Sequence, residues 1–194
     1  MMALFSGLYE EYEGKVLVND LSLEYINLEK YRGMVGDFLE LQQLFHGTIK
    51  ENILMGRDYE QDQVDFILNL VGLKDYIYQL PQGLETMLQP EGKGLSKTIA
   101  HQMLLARGFI GQPKALIMEN VLSYVDPQIK EKVVDYIMKG SWTLLIVSND
   151  ETVQKMADEV KLRVLAQHQQ LLRVDFEVPP AAGAAAALLD DAPR

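Results

Sequence analysis

Glu119 and Asn120 close the apolar run Ala115-Leu116-Ile117-Met118, which Pro113 and polar residues bound like a buried parallel strand. A carboxylate at Glu119 can approach a metal ion. The amide of Asn120 cannot accept a proton from water at neutral pH. Both residues would equally serve to end a strand and start a turn. Ser96 stands before Lys97 and Thr98 at the head of a helical pattern, where its hydroxyl suits an N-cap. Lys97 there offers positive charge to a phosphate. Asp126 precedes Pro127, an N-cap followed by proline at the first helical position. A glycine loop that cradles phosphates, Gly-x-x-x-x-Gly-Lys-Ser/Thr, does not occur. Gly92-Lys93-Gly94 echoes it, but its lysine precedes glycine and no strand leads into it. The chain has no cysteine, which excludes disulfides, zinc fingers and a thiol nucleophile. His46, His101 and His168 are too scattered for a metal cluster.

These residues need elements to hold them. Residues 1–8 read as the end of a helix closed by Gly7. A β-rich run at Lys15-Val16-Leu17-Val18 meets turn residues Asn19-Asp20. Leu28 to Arg32 fits a helical turn, and Met34 to Phe38 a short strand. Thr48 and Glu51 form a capping-box pattern before Ile53. Val64, Ile67, Leu68 and Val71 share one helical face, which Gly72 ends. Lys74 to Leu80 is a further short helix, residues 82–95 are irregular, and a helix runs from Lys97 to Phe109. Gln128 to Met138 has helical spacing and Thr143 to Val147 reads as a second buried strand. Thr152 to Ala157 is helical. Val160 to Leu165 and Leu171 to Phe176 alternate like edge strands. Strand, helix, strand in this order implies parallel crossovers in one sheet. Pro179 to Arg194 is mostly Ala, Pro and Gly and reads as a mobile tail.

With 194 residues, 48% hydrophobic and 24% charged, the chain has the balance of one soluble globular domain with a sizeable core. Its 18 basic and 28 acidic residues leave a net charge of −10 and no basic cluster, which argues against nucleic acid as a partner. No apolar run is long enough for a membrane span, and the absence of cysteine fits a cytosolic protein.

The middle of the chain resembles the ATPase domain of ATP-binding cassette (ABC) transporters, of the exporter type. The resemblance rests on Ser6-Gly7-Leu8-Tyr9-Glu10 with Glu13-Gly14-Lys15-Val16, then Leu44-Phe45-His46-Gly47-Thr48-Ile49-Lys50-Glu51-Asn52-Ile53. It continues through Tyr76-Ile77, Leu80-Pro81-Gln82-Gly83-Leu84-Glu85-Thr86, Gly94-Leu95-Ser96, Leu105-Ala106-Arg107 and residues 115–126. It implies an α/β fold, a P-loop NTPase-like parallel sheet with helices and an inserted helical subdomain. Residues 1–38 and 111–176 would form an ATPase core, 39–110 the helical and signature subdomain, and 177–194 a low-complexity tail. The first strand, the phosphate loop and the adenine-stacking aromatic would lie outside this polypeptide, leaving an unpaired sheet edge that invites self-association.

The resemblance also shows where the chain departs from its family. ATP with magnesium is the family's cofactor, and the phosphate loop, sensor, signature, general base and switch that handle it depart from the family pattern, although Ser96 of the signature is kept. Glu40 stands at the glutamine that senses γ-phosphate and magnesium. Ser96, Lys97 and Thr98 replace the Ser-Gly-Gly of the signature, whose glycines let backbone N–H groups approach a phosphate across a dimer. Glu119 takes the place of the magnesium-holding aspartate, Asn120 that of the general base, and Asn149 that of the switch histidine. Asp126 matches the aspartate loop that contacts a partner cassette. Glu119 and Glu40 would be the magnesium ligands. Pro90-Glu91-Gly92 replaces the family's Glu-Arg-Gly at the transporter contact.

The expected function is a degenerate, non-hydrolysing cassette, the structural or regulatory partner of a membrane domain or a second cassette, cytoplasmic or peripheral on the inner face of the membrane. The alternatives are an active ATPase whose phosphate loop lies in absent upstream sequence, a decayed fragment, and an unrelated acidic α/β binding module.

Overall fold

A computed structural model describes residues 2–9, 16–19, 21–39, 42–148 and 175–176. Its centre is a three-stranded sheet in the order β3-β6-β7, with β3 at Val35–Phe38, β6 at Ala115–Glu119 and β7 at Thr143–Val147. All pairs are parallel, with Val35 opposite Ala115 and Ala115 opposite Thr143. Alternate side chains of β6 enter different cores. Leu116 and Met118 join one cluster and Ala115 and Ile117 the other, all between 0% and 2% exposed. A strand buried on both faces must be apolar throughout, which is why this run does not alternate.

The first cluster contains helices α3 (Ile49–Leu54), α4 (Gln61–Leu70), α5 (Lys74–Gln79), α6 (Lys97–Ile110) and α7 (Pro127–Lys139). The other face is covered by α1 (Met2–Phe5), the hairpin of β1 (Leu17–Val18) and β2 (Leu21–Ser22), and α2 (Leu28–Met34). Gly7, at φ +71°, ends α1, with the N–H of Leu8 donating to the carbonyl of Ala3 at 3.0 Å. The Tyr31 hydroxyl ties α2 to α1 by donating to the Phe5 carbonyl at 2.6 Å. Asn19 turns the hairpin at φ 49°, the left-handed conformation asparagine tolerates.

Local signals placed the element starts. Thr48 and Glu51 form both halves of a capping box at α3, 3.0 and 2.7 Å long. Ser96 caps α6 and Asp126 caps α7, with Pro127 at its first position.

Three expectations change. The strand expected from Met34 begins at Val35, because α2 runs past Arg32 to Met34. Residues 82–95 are not wholly irregular, since β5 (Met87–Leu88) pairs antiparallel with β4 (Gly47–Thr48). β7 is half-buried rather than buried, and Val147 is 47% exposed. Among the described residues it has one hydrogen-bonded neighbour, β6, so its other edge lacks that cover. Asp175–Phe176 forms β8, parallel to β1. The expected helix at residues 152–157, the strand at 160–165, residues 171–174 and the tail 177–194 lie outside the described residues. No helix among the described residues is long and apolar enough to cross a membrane.

Candidate functional site

The carboxyl ends of β3 and β6 open onto a cleft of about 270 Å³ whose polar lining includes Gln42, His101, Glu119, Asn120, Ser123 and Tyr124. Clefts at the carboxyl ends of parallel strands are the general ligand position in open α/β sheets. Phe38 and Leu39 from the end of β3, with Leu104 of α6, form its apolar wall.

Asn120 makes the sharp turn that shapes the cleft. Its backbone is left-handed, φ 49° and ψ 15°, its N–H donates to the Val147 carbonyl at 2.9 Å and its own carbonyl accepts from Ser123 N–H. The turn role foreseen for Asn120 is therefore present. Ser96 and Asp126 act as caps: the Ser96 hydroxyl accepts from Ile99 N–H at 3.2 Å and the Asp126 carboxylate from Gln128 N–H at 2.9 Å. Neither lines the cleft, and neither do Lys97 and Thr98. Lys97 reaches its edge, with the ammonium 5.6 Å from the centre of the Tyr124 ring. Glu40 and Asn149 lie outside the described residues.

Three residues of this region were not singled out as site residues in the sequence. His101 lies four positions after Lys97 on one face of α6. Its ring centre is 4.5 Å from that of Tyr124, and its Nδ1 lies 2.9 Å from the Lys97 carbonyl. Helical spacing from Lys97 was the available signal. Gln42 donates from Nε2 to the Asp37 carbonyl at 3.0 Å and to the Asp37 carboxyl at 2.9 Å, while its Oε1 is buried without a partner. Nothing local in the sequence marks it. The third is Asp37, half-buried in the middle of a strand.

Burial pushes the Asp37 carboxyl above its ordinary value, and the Gln42 hydrogen bond and the Arg107 charge only partly oppose this. Burial likewise lowers Arg107, opposed by Asp37. With its folded value raised, native Asp37 holds its proton to higher pH than the unfolded chain does. Its contribution to stability therefore falls as pH rises from the unfolded to the folded value, and stays low above both. Asp37→Asn removes this loss and keeps an acceptor for Gln42. The variant is expected to gain stability relative to the parent at pH 8 and to lose that advantage at pH 3, as read by urea midpoints. An advantage equal at both pH values would contradict the assignment.

Gln42 and Asp37 also line a second cleft, of about 230 Å³, with Arg32, Met55, Arg57 and Arg107. Met55 is held left-handed at φ 53° and is 52% exposed. Arg32 donates from Nε to the Gly7 carbonyl at 2.8 Å, with Nη2 on the same oxygen.

A magnesium nucleotide does not fit the first cleft. Among the described residues its lining has one carboxylate, two carboxamides, an imidazole and hydroxyls, but no lysine or arginine. Among the described residues no group of three or more His, Asp or Glu could hold a metal ion. A polyphosphate placed there would meet the Glu119 carboxylate and the neutral donors of hydroxyls and carboxamides, with no cationic side chain among the described lining residues.

Comparison with known proteins places this geometry. The family model described as ABC transporter matches residues 1–123. The colicin V secretion/processing ATP-binding protein CvaB of Escherichia coli is 27% identical over 161 residues, covering 82% of this chain and 23% of that protein. The ABC multidrug transporter atrD of Emericella nidulans is 27% identical over 184 residues, 89% of this chain and 14% of its own length. The chain thus spans less than a quarter of either relative. A solved bacterial Atm1-family ABC exporter with ATP bound superposes with a TM-score of 0.70 at 23% identity, over 78% of this chain and 27% of that one. That likeness concerns the fold.

Proposed function

The chain belongs to the ABC transporter family, and we propose that it is a degenerate nucleotide-binding-domain-like unit of exporter type that does not hydrolyse ATP and acts as a structural or regulatory partner of a membrane transporter. The family binds ATP with magnesium. The observation that carries the reading is Asn120. It sits at the end of β6 beside Glu119 and lines the cleft, where an attacking water would need a base. A carboxamide has no basic lone pair at neutral pH, so it can orient a water but cannot take its proton.

The signature segment supports the same reading. Ser96 is engaged in capping α6, and Lys97 adds a side chain that rests on Tyr124 of its own chain. A phosphate approaching backbone N–H groups there would meet that side chain first. Thr98 adds a second one where the family has glycine.

The packing landmarks, in contrast, are kept. Residues 1–38 with 111–176 would serve as the core and 39–110 as the helical subdomain, followed by a tail over 177–194. The second cleft, with the exposed thioether of Met55 and the guanidinium of Arg57 at one side, is the face we assign to a membrane domain or a second cassette. Such docking would place the chain on the cytoplasmic side of the membrane, and self-association of two copies is the competing arrangement.

Phosphate-release and fluorescent-ATP assays on the purified chain test the proposal. The expected result is no magnesium-dependent turnover, and none restored by Asn120→Glu alone, because Lys97 and Thr98 remain in the signature. Micromolar, magnesium-dependent ATP binding with phosphate release by the parent chain would sink it.

A further inference from the structure

Resting on that reading only in taking magnesium nucleotide out of the cleft at the ends of β3 and β6, we infer that this cleft binds a guanidinium group. The first argument is its surplus of acceptors. Glu119 supplies a carboxylate, Asn120 an amide oxygen, and Ser123 and Tyr124 hydroxyls. Gln42 Oε1, a carbonyl buried behind the cleft wall, has no donor among the described residues. His101 supplies another acceptor. Its Nδ1 lies 2.9 Å from the Lys97 backbone carbonyl, and the tautomer that donates there leaves Nε2 as an acceptor. No lysine or arginine is among the described residues that line the cleft, and the Lys97 ammonium stands only at its edge.

Among the described lining residues Glu119 carries the one formal charge, and a carboxylate set among carbonyl and hydroxyl oxygens calls for a single positive charge carrying several N–H donors. A buried acceptor without a donor is costly, and a guanidinium brings five N–H groups in a fixed planar fork. The apolar wall of Phe38, Leu39 and Leu104 selects further. A guanidinium is weakly hydrated and lies readily against aromatic and apolar surface, whereas an ammonium holds its water. The Tyr124 ring, 47% exposed, offers one such face. A divalent metal would need several anionic or imidazole ligands together, and the described residues do not assemble them.

The test is a chemical-shift titration of the full chain with methylguanidinium and, separately, N-acetylarginine amide. Saturable shifts at His101, Glu119 and Tyr124 are expected. Tighter binding of the arginine amide identifies a peptide side chain as the source, equal binding a free small molecule, and either supports the inference. Glu119→Gln should weaken binding about tenfold or more by removing the charge-assisted hydrogen bonds. His101→Phe, which keeps a ring beside Tyr124 but removes the acceptor, should also weaken it. Lys97→Gln, which removes the neighbouring ammonium, should not. Shifts that fail to saturate, or that are unchanged in both Glu119→Gln and His101→Phe, overturn the inference, as does saturation by magnesium chloride alone. A parallel addition of ATP with magnesium separates the two readings. Magnesium-dependent ATP binding with phosphate release overturns the degenerate-cassette proposal, while a chain that binds neither ligand overturns only this one.

Discussion

Asn52→Ala should cost the fold about 3 kcal/mol, read as a large drop in the urea midpoint with an unchanged slope. Asn52 is 0% exposed. Its Nδ2 donates to the carbonyls of Phe45 and Thr48, both at 3.0 Å. Its Oδ1 accepts from the Phe45 N–H at 3.0 Å and from Nη2 of Arg107 at 3.0 Å. The Asn52 backbone carbonyl takes a further bond from Nε of Arg107, 2.7 Å long, which survives the substitution. Alanine takes the side-chain partner from the Phe45 N–H, the Phe45 carbonyl and Nη2 of Arg107, while the Thr48 carbonyl, at the N-cap of α3, keeps its helical bond. A buried group left unpaired costs about 1–3 kcal/mol, so several together decide the sign even where water reaches one of them. The methyl of alanine is small enough to rule out overpacking as the cause.

The loss reaches the clefts as well. Arg107 also donates to the Gln43 carbonyl at 3.2 Å and lies over the Phe45 ring, 5.7 Å from its centre. With Nη2 released from the Asn52 side chain, Arg107 keeps only its bonds to the Asn52 and Gln43 carbonyls and is held less firmly beside Asp37, whose carboxyl its charge favours in the ionised form. Asn52→Asp separates the two effects. It keeps the acceptor for Phe45 N–H and Arg107 but removes the donors to Phe45 and Thr48. It should therefore destabilise less than alanine at neutral pH. A loss below about 1 kcal/mol for Asn52→Ala would show that the network carries little of the stability.

What the sequence made legible follows from the range of each interaction. Thr48 with Glu51, Ser96 with Ile99, and Asp126 with Pro127 and Gln128 act within three residues, and their side-chain types alone mark the starts of α3, α6 and α7. The two-faced burial of β6 was legible because it demands an unbroken apolar run. The β4–β5 ladder was not, since two residues on each strand show no alternation. The cleft was legible only in part. Glu119 ends β6 and Asn120 follows it directly, but His101 and Gln42 reach the cleft from α6 and from the chain beyond β3. Their contribution depends on how those segments pack, which spacing along the chain does not encode. Asp37 is the sharpest case. In the strand pattern it reads as a polar residue of a half-buried face, and only the packed structure gives it Gln42 as partner and Arg107 as neighbour.

The packing that brings those segments together leads to the last expected result. Phe109→Ala should destabilise the protein by about 4 kcal/mol, at the upper part of the range for aromatic truncation in a core. Phe109 is 0% exposed on α6 and joins two layers. Its ring centre lies 4.8 Å from that of Phe38 on β3 and 5.4 Å from that of Tyr136 on α7, the latter edge-on at 82°. Tyr136 in turn meets Trp142 at 5.1 Å, so α6, α7 and the approach to β7 share one aromatic seam. Collapse into the void is limited on the β3 side. Phe38 is wedged against Gly108, where an added Cβ would stand 2.4 Å from its ring. The same ring is a wall of the strand-end cleft. Any tilt of Phe38 toward the void widens that cleft and separates Gln42 from the acceptors on β6. Phe109→Leu, which refills most of the volume, should recover more than half of the stability and keep guanidinium binding, whereas Phe109→Ala should weaken both. If alanine lowered stability by the expected amount with the cleft's binding unaltered, the seam would hold the layers together without setting the shape of the site.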